Sequence, residues 1–222
     1  MNDPDRAITV PDSEPGRRAS LLLYDRSYRD ALGSAAWQRL KPEIRRRFSV
    51  KPGTSSSIRY AGIMHRVELS CMGWLFAQFC RLFGTPLAPT RGREVPVEIN
   101  LVPDDRLGGT AWNRHYAFDS AKPYTVTSTK SFDANGTLAE HIGNGFSMAL
   151  RPYERRRDLV FASLGYFIQF AGRKRRIPDW LTPGVTTVTH EQIRGRLFRF
   201  TLSVDHPLLG RTVYQRGEFK SA

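Results

Sequence analysis

A chain of 222 residues, 40% apolar and 11% aromatic, is long enough to bury a full core and is not a disordered polymer. No run of about 18 apolar residues occurs, so no membrane-spanning helix is expected. The net charge of +13 and pI of about 10.3 allow an anionic partner, but the arginines are scattered. The local runs Arg45–Arg47, Arg155–Arg157 and Arg173–Arg176 read as solvated faces ahead of an anion-binding patch.

Met1–Arg18 carries acids and prolines and no apolar run. It is not a signal peptide, so a cytoplasmic location is expected, and it reads as a disordered or loosely attached tail. Residues 19–222 then form one domain. Leu21–Leu32 can form a helix ending at Gly33, and Ser34 can cap a second over Ala35–Leu40. Pro42 suits the first turn of a third, with Ile44 and Phe48 facing inward. Lys51–Ser57 is a Pro/Gly/Ser linker.

Ile58–Leu69 reads as a strand with a bulge at Gly62, and Ser70 as the cap of the next helix. From Met72 to Phe83 the apolar spacing is helical, and Trp74, Ala77 and Cys80 make the other side apolar too. Such a helix is expected to be buried, with Phe79 fully so, and to stop at Gly84 and Pro86. Cys71 and Cys80, nine residues apart, fall on opposite sides of it, so two free, buried thiols are expected.

The rest is almost all strand: Val95–Val102, Thr110–Phe118, Tyr124–Phe132, Thr137–Ile142, Phe146–Tyr153 and Asp158–Phe170. Asp133-Ala134-Asn135-Gly136 has the residues of a hairpin turn. Pro178–Pro183 is short and irregular or helical, before Val185–Arg194, Arg196–Val204 and Arg211–Phe219. In the last hairpin Phe198, Phe200, Leu202 and Val204 alternate with Leu197, Arg199, Thr201 and Ser203. That period of two predicts one buried face, with Gly195 in the turn. The expectation is an α+β fold on a curved antiparallel sheet of about eight to nine strands. It curls into a barrel or half-barrel, with N-terminal helices and one apolar helix packed on it.

Motifs of reaction chemistry are missing. There is no dinucleotide glycine fingerprint, no phosphate loop, no nucleophile elbow and no His-Glu-x-x-His, and the five histidines are far apart, so neither metal nor cofactor is expected. Glu140-His141 and His190-Glu191 put an acid beside an imidazole on a strand, where neighbours face opposite ways. One member of each therefore faces the concave side. Trp112, Arg114 and Tyr116 share a strand face, an arrangement that covers an aromatic cluster or binds an anion.

In order and spacing the chain resembles a bacterial family known as domain of unknown function 4166, over about Leu23–Phe219. The resemblance rests on Gly62–Glu68, Leu82–Pro86 with Val95-Pro96-Val97, and Trp112, Arg114 and Phe118. It continues through Glu140–Gly143, Pro178-Asp179-Trp180-Leu181-Thr182-Pro183, Glu191, Arg196–Phe200, Pro207–Gly210 and Tyr214-x-Arg216-Gly217. It implies an accessory module of the kind fused behind nucleotide-cofactor reductase or epimerase-like domains, hence an oxidoreductase partner, and it carries over no catalytic residues. The sequence thus favours a non-catalytic domain binding an apolar, lipid-like or aromatic small molecule. Arg114, Glu140, Glu191, Tyr214 and Trp112 are its candidate ligand-orienting residues. A basic nucleic-acid-binding protein comes second, and a stand-alone enzyme using Glu140 or Glu191 as acid/base third.

Overall fold

The computed structural model describes residues 8–9, 21–81, 87–119 and 122–221. The expected tail lies outside these residues except for Ile8–Thr9, and so do the helix stops Gly84 and Pro86. Strand β1 (Ile8–Thr9) pairs with β2 (Leu21–Tyr24), which pairs with β3 (Val50–Pro52). Between β2 and β3 run α1 (Ser27–Leu32), α2 (Ser34–Arg39) and α3 (Pro42–Arg47), the last with proline in its first turn. The helix expected over Leu21–Leu32 is therefore half strand. Its first residues are taken by pairing with β3, and Asp25 Oδ1 accepts from Ser27 N at 2.9 Å where the helix begins. Ser34 lies inside α2 and caps nothing; Gly33 stands at the cap.

The barrel strands are β4 (Ile58–Leu69), β5 (Gly92–Asp104), β6 (Gly109–Tyr116), β7 (Tyr124–Phe132), β8 (Leu138–Gly143), β9 (Phe146–Arg155) and β10 (Asp158–Phe170). The series ends with β12 (Val185–Arg194), β13 (Leu197–His206) and β14 (Gly210–Ser221); β11 (Arg173–Arg176) folds back on β10 alone. Each strand pairs antiparallel with the next, and β14 pairs with β4. The described residues thus form a closed up-and-down barrel of ten strands, not eight to nine. The seam between the first and last strands, some 150 residues apart, sets the number, and no local pattern records it.

That seam is tight. A side chain at Gly62 would sit 2.1 Å from Glu218 O, and one at Gly217 would sit 2.6 Å from Ile63 O. Gly62 is thus a point of close approach. The bulge expected there falls at His65, where the register slips between Arg216 and Gly217.

Alternation orders the wall. Met64, Val67, Val97, Ile99, Val126, Leu159, Phe161 and Phe219 point inward and are buried, each worth about 1.5–3 kcal/mol of transfer free energy. Arg59, Glu68, Arg93, Glu98 and Arg151 are exposed on the outside, the inverse of a lipid-facing barrel. Among the described residues no helix is long and apolar enough to cross a membrane. The last hairpin follows its pattern: Gly195 turns at φ 55°, Phe198, Phe200 and Val204 are buried, and Leu202 is half-buried.

One end of the barrel is plugged. Trp37, Leu40, Ile44 and Phe48 from α2, α3 and the turns after them join the core around Phe161 and Phe198. Lys41 Nζ reaches Asp158 at 2.9 Å, Arg39 reaches Glu154 at 2.8 Å, and the Arg47 guanidinium lies 3.7 Å above the Phe198 ring. One arginine of the first run is therefore structural.

The other end carries α4 (Cys71–Cys80), capped by Ser70 Oγ accepting from Gly73 N at 3.0 Å. The helix is not buried all round. Gly73 and Ala77 are its buried residues, while Met72, Trp74, Leu75 and Phe79 are exposed, Phe79 by 56%. A side chain at Gly73 would stand 1.9 Å from Thr212 O, so the helix docks on β14 through its smallest residues and its large ones stay off the wall. Its cysteines are free, but Cys71 is exposed and Cys80 half-buried, not both buried.

Candidate functional site

The inward-facing side chains fill the plugged half of the barrel and leave a cavity of about 140 Å³ in the other half. Its floor is Trp112, Arg114, Lys130, Glu140, His190 and Phe200. Its wall includes Val126, Met148, Val188, Leu202 and Gln215. The mouth lies between α4, through Phe76, Phe79 and Cys80, and the 3₁₀ turn Asp179–Leu181 with Thr182 and Pro183 after it. Phe79 and Leu181 line the cavity and are more than half exposed, so it opens between them.

Strand pairing brings the charges together. Lys130 on β7 and Glu140 on β8 are register partners, with Nζ 3.1 Å from Oε2. Ser128, two residues before Lys130 and on the same face, donates to Glu140 Oε1 at 2.5 Å. Arg114 on β6 donates to Ser128 Oγ at 3.2 Å and stands 3.7 Å from Glu140 Oε1. Lys130 Nζ and Arg114 Cζ lie 4.8 and 5.9 Å from the centroid of the Trp112 ring.

Burial pushes the Glu140 carboxyl up, but Lys130, Arg114 and the Ser128 hydroxyl outweigh it and hold the group below the usual carboxylate range. Burial lowers Lys130, with Glu140 opposing the shift. His190 is edged by Phe48, Phe161 and Phe200; burial first, then Arg47, Lys130 and Arg114, drive its pKa well down, so it is neutral. Higher in the barrel Tyr116 Oη donates to Gln215 Oε1 at 3.1 Å. The Tyr166 and Thr186 hydroxyls share a 2.6 Å hydrogen bond, with the Tyr166 pKa raised by burial to about 12.

Of the residues expected from sequence, Trp112, Arg114 and Glu140 meet here. Glu191 and Tyr214 do not. Glu191 is on the outer face, 3.0 Å from Arg199, which also binds Glu218 at 2.8 Å. Tyr214 lies outside under the Arg211 guanidinium, 5.1 Å from its ring centroid. Their strands' phase places them there, because Val188 and His190 on β12, and Val213 and Gln215 on β14, take the inward positions. Lys130 is not among the residues the sequence singles out, and His190 enters there only as the partner of Glu191 in a pair of which one member faces inward. The signal for Lys130 was its phase with Val126 and Ser128 on β7; for His190 it was its phase with Val188.

The fold and its cavity define a closed antiparallel β-barrel with an internal, mostly apolar pocket and a buried charge cluster on the pocket floor. The chain belongs to the family described as Domain of unknown function (DUF4166), whose model matches residues 40–219. No curated protein and no solved structure matches it. Among the described residues no three His, Cys, Asp or Glu side chains gather as a metal site requires.

Proposed function

We propose that this barrel is a non-catalytic binding domain that takes an apolar small molecule, lipid-like or aromatic, through the mouth beside α4. One observation carries the reading: a cavity open at one mouth, whose wall is chiefly aliphatic and aromatic, with a few convergent polar groups at its floor. Its volume of about 140 Å³ is of the order that accepts a benzene-sized guest, and a longer chain can extend through the mouth beside α4. Glu140 is a poor acid/base near neutrality because Lys130 and Arg114 hold it as the carboxylate, and Glu191 is tied to Arg199 outside the barrel. An oxidoreductase that delivers or consumes the ligand is the partner that the family resemblance suggests.

The nucleic-acid reading has less support. The Arg155–Arg157 run turns at one end of β10 and the Arg173–Arg176 run begins beyond the other, about 40 Å apart at roughly 3.3 Å per residue. They make no single patch.

Titration with toluene, followed by isothermal titration calorimetry, tests the proposal. Saturable one-to-one binding is expected, and it should be lost in Leu202→Trp, which fills the cavity, while far-ultraviolet circular dichroism stays unchanged. Absence of saturable binding, or micromolar affinity for random duplex DNA at about 150 mM salt, would overturn it.

A further inference from the structure

The floor of the cavity has more donors than acceptors. The described residues lining the cavity include one carboxylate, Glu140, and two cations, Lys130 and Arg114, while His190 is neutral. One positive charge is therefore in excess on a floor where Lys130 and Glu140 are buried. Trp112, on the same floor, buries its indole Nε1–H with no hydrogen-bond partner among the described residues. Of the three N–H bonds of Lys130 and the five of Arg114, Glu140 and Ser128 can engage only some. Native barrels rarely leave buried donors unanswered, and a buried charge without a full counter-charge is costlier still. What the floor lacks is an acceptor carrying one negative charge.

We propose that the natural ligand is an amphiphilic carboxylate whose head group seats against Lys130, Arg114 and Trp112 and whose apolar body runs up the barrel to the α4 mouth. The inference rests on the binding function proposed above and narrows its ligand class. A planar carboxylate can accept from a guanidinium and an ammonium together. It would bring the ion count of the floor to neutrality. It would also relieve Lys130, whose ammonium is the form that burial disfavours.

The test compares decanoate with decan-1-ol by isothermal titration calorimetry on the full chain at pH 7. Decanoate should bind about tenfold more tightly or better, the factor one charge-assisted hydrogen bond supplies. Lys130→Met leaves Glu140 paired with Arg114 and removes the excess charge. It should abolish the preference for decanoate while retaining the alcohol. Equal affinities in the wild-type chain would overturn this inference and leave the apolar-pocket proposal standing. Failure of both ligands to bind, with toluene also excluded, would overturn the two together. The wild-type comparison decides the matter even if the variant fails to fold.

Discussion

Lys130 and Glu140 are direct partners across β7 and β8, and their charges meet 3.1 Å apart inside the barrel. The two ends of this pair are not equivalent. Glu140 answers both Lys130 and Arg114, whereas Lys130 has a charged rival in Arg114. Glu140→Leu strands two buried cations and is expected to cost about 3–5 kcal/mol. Lys130→Met leaves Glu140 its arginine and should cost less than half of that. Urea denaturation of both variants checks the order, and equal losses would contradict it.

His190 makes stability depend on pH. Its folded pKa lies well below the ordinary 6.5, so the unfolded chain takes up the proton first as pH falls. The neutral form's contribution is complete above about 6.5 and declines below it, by up to about 1.4 kcal/mol per pH unit until the folded pKa is reached. His190→Phe, in a site already walled by Phe48, Phe161 and Phe200, should flatten that slope between pH 6.5 and 5. Chemical denaturation at several pH values reads it, and an unaltered slope in the variant would refute the assignment.

Phe79 and Phe219 give opposite results to the same truncation. Phe219 is fully buried at the β4–β14 seam and Phe79 is 56% exposed at the mouth. Phe219→Ala is expected to cost about 3–5 kcal/mol. Phe79→Ala should cost under about 1 kcal/mol, as at other exposed positions. A large loss at Phe79 in the ligand-free protein would mean that α4 packs more closely than its exposure indicates.

Gly73→Ala tests how α4 is held. The added carbon would stand 1.9 Å from Thr212 O, a backbone atom that cannot swing aside, so the helix must lift from β14. A loss of about 1–3 kcal/mol is expected. Faster amide exchange confined to 71–80 and the strand start at 210–213 should accompany it. Exchange unchanged across both segments would show that the contact is not tight.

Much of this protein is determined locally. The alternation in Leu197–Val204, the glycine between β12 and β13, the Asp133–Gly136 turn and the Ser70 cap each act within a few residues. Backbone sterics and the two-residue pleat are enough to place them. The same pleat could have placed His190 and Lys130 inward and Glu191 and Tyr214 outward, once Val126, Val188 and Val213 were taken to set the phase. Other features lay beyond local patterns. The barrel closes at ten strands because Tyr60–Leu69 meets Val213–Ser221 across most of the chain. An apolar helix shows its aromatics to solvent because it docks through Gly73, which lies against Thr212, and through the buried Ala77. Lys130, Glu140, Arg114 and Trp112 become one charged floor only because three neighbouring strands align them. Register between strands is fixed by turns and core packing together, and side chains far apart in sequence share a cavity only after that register is set.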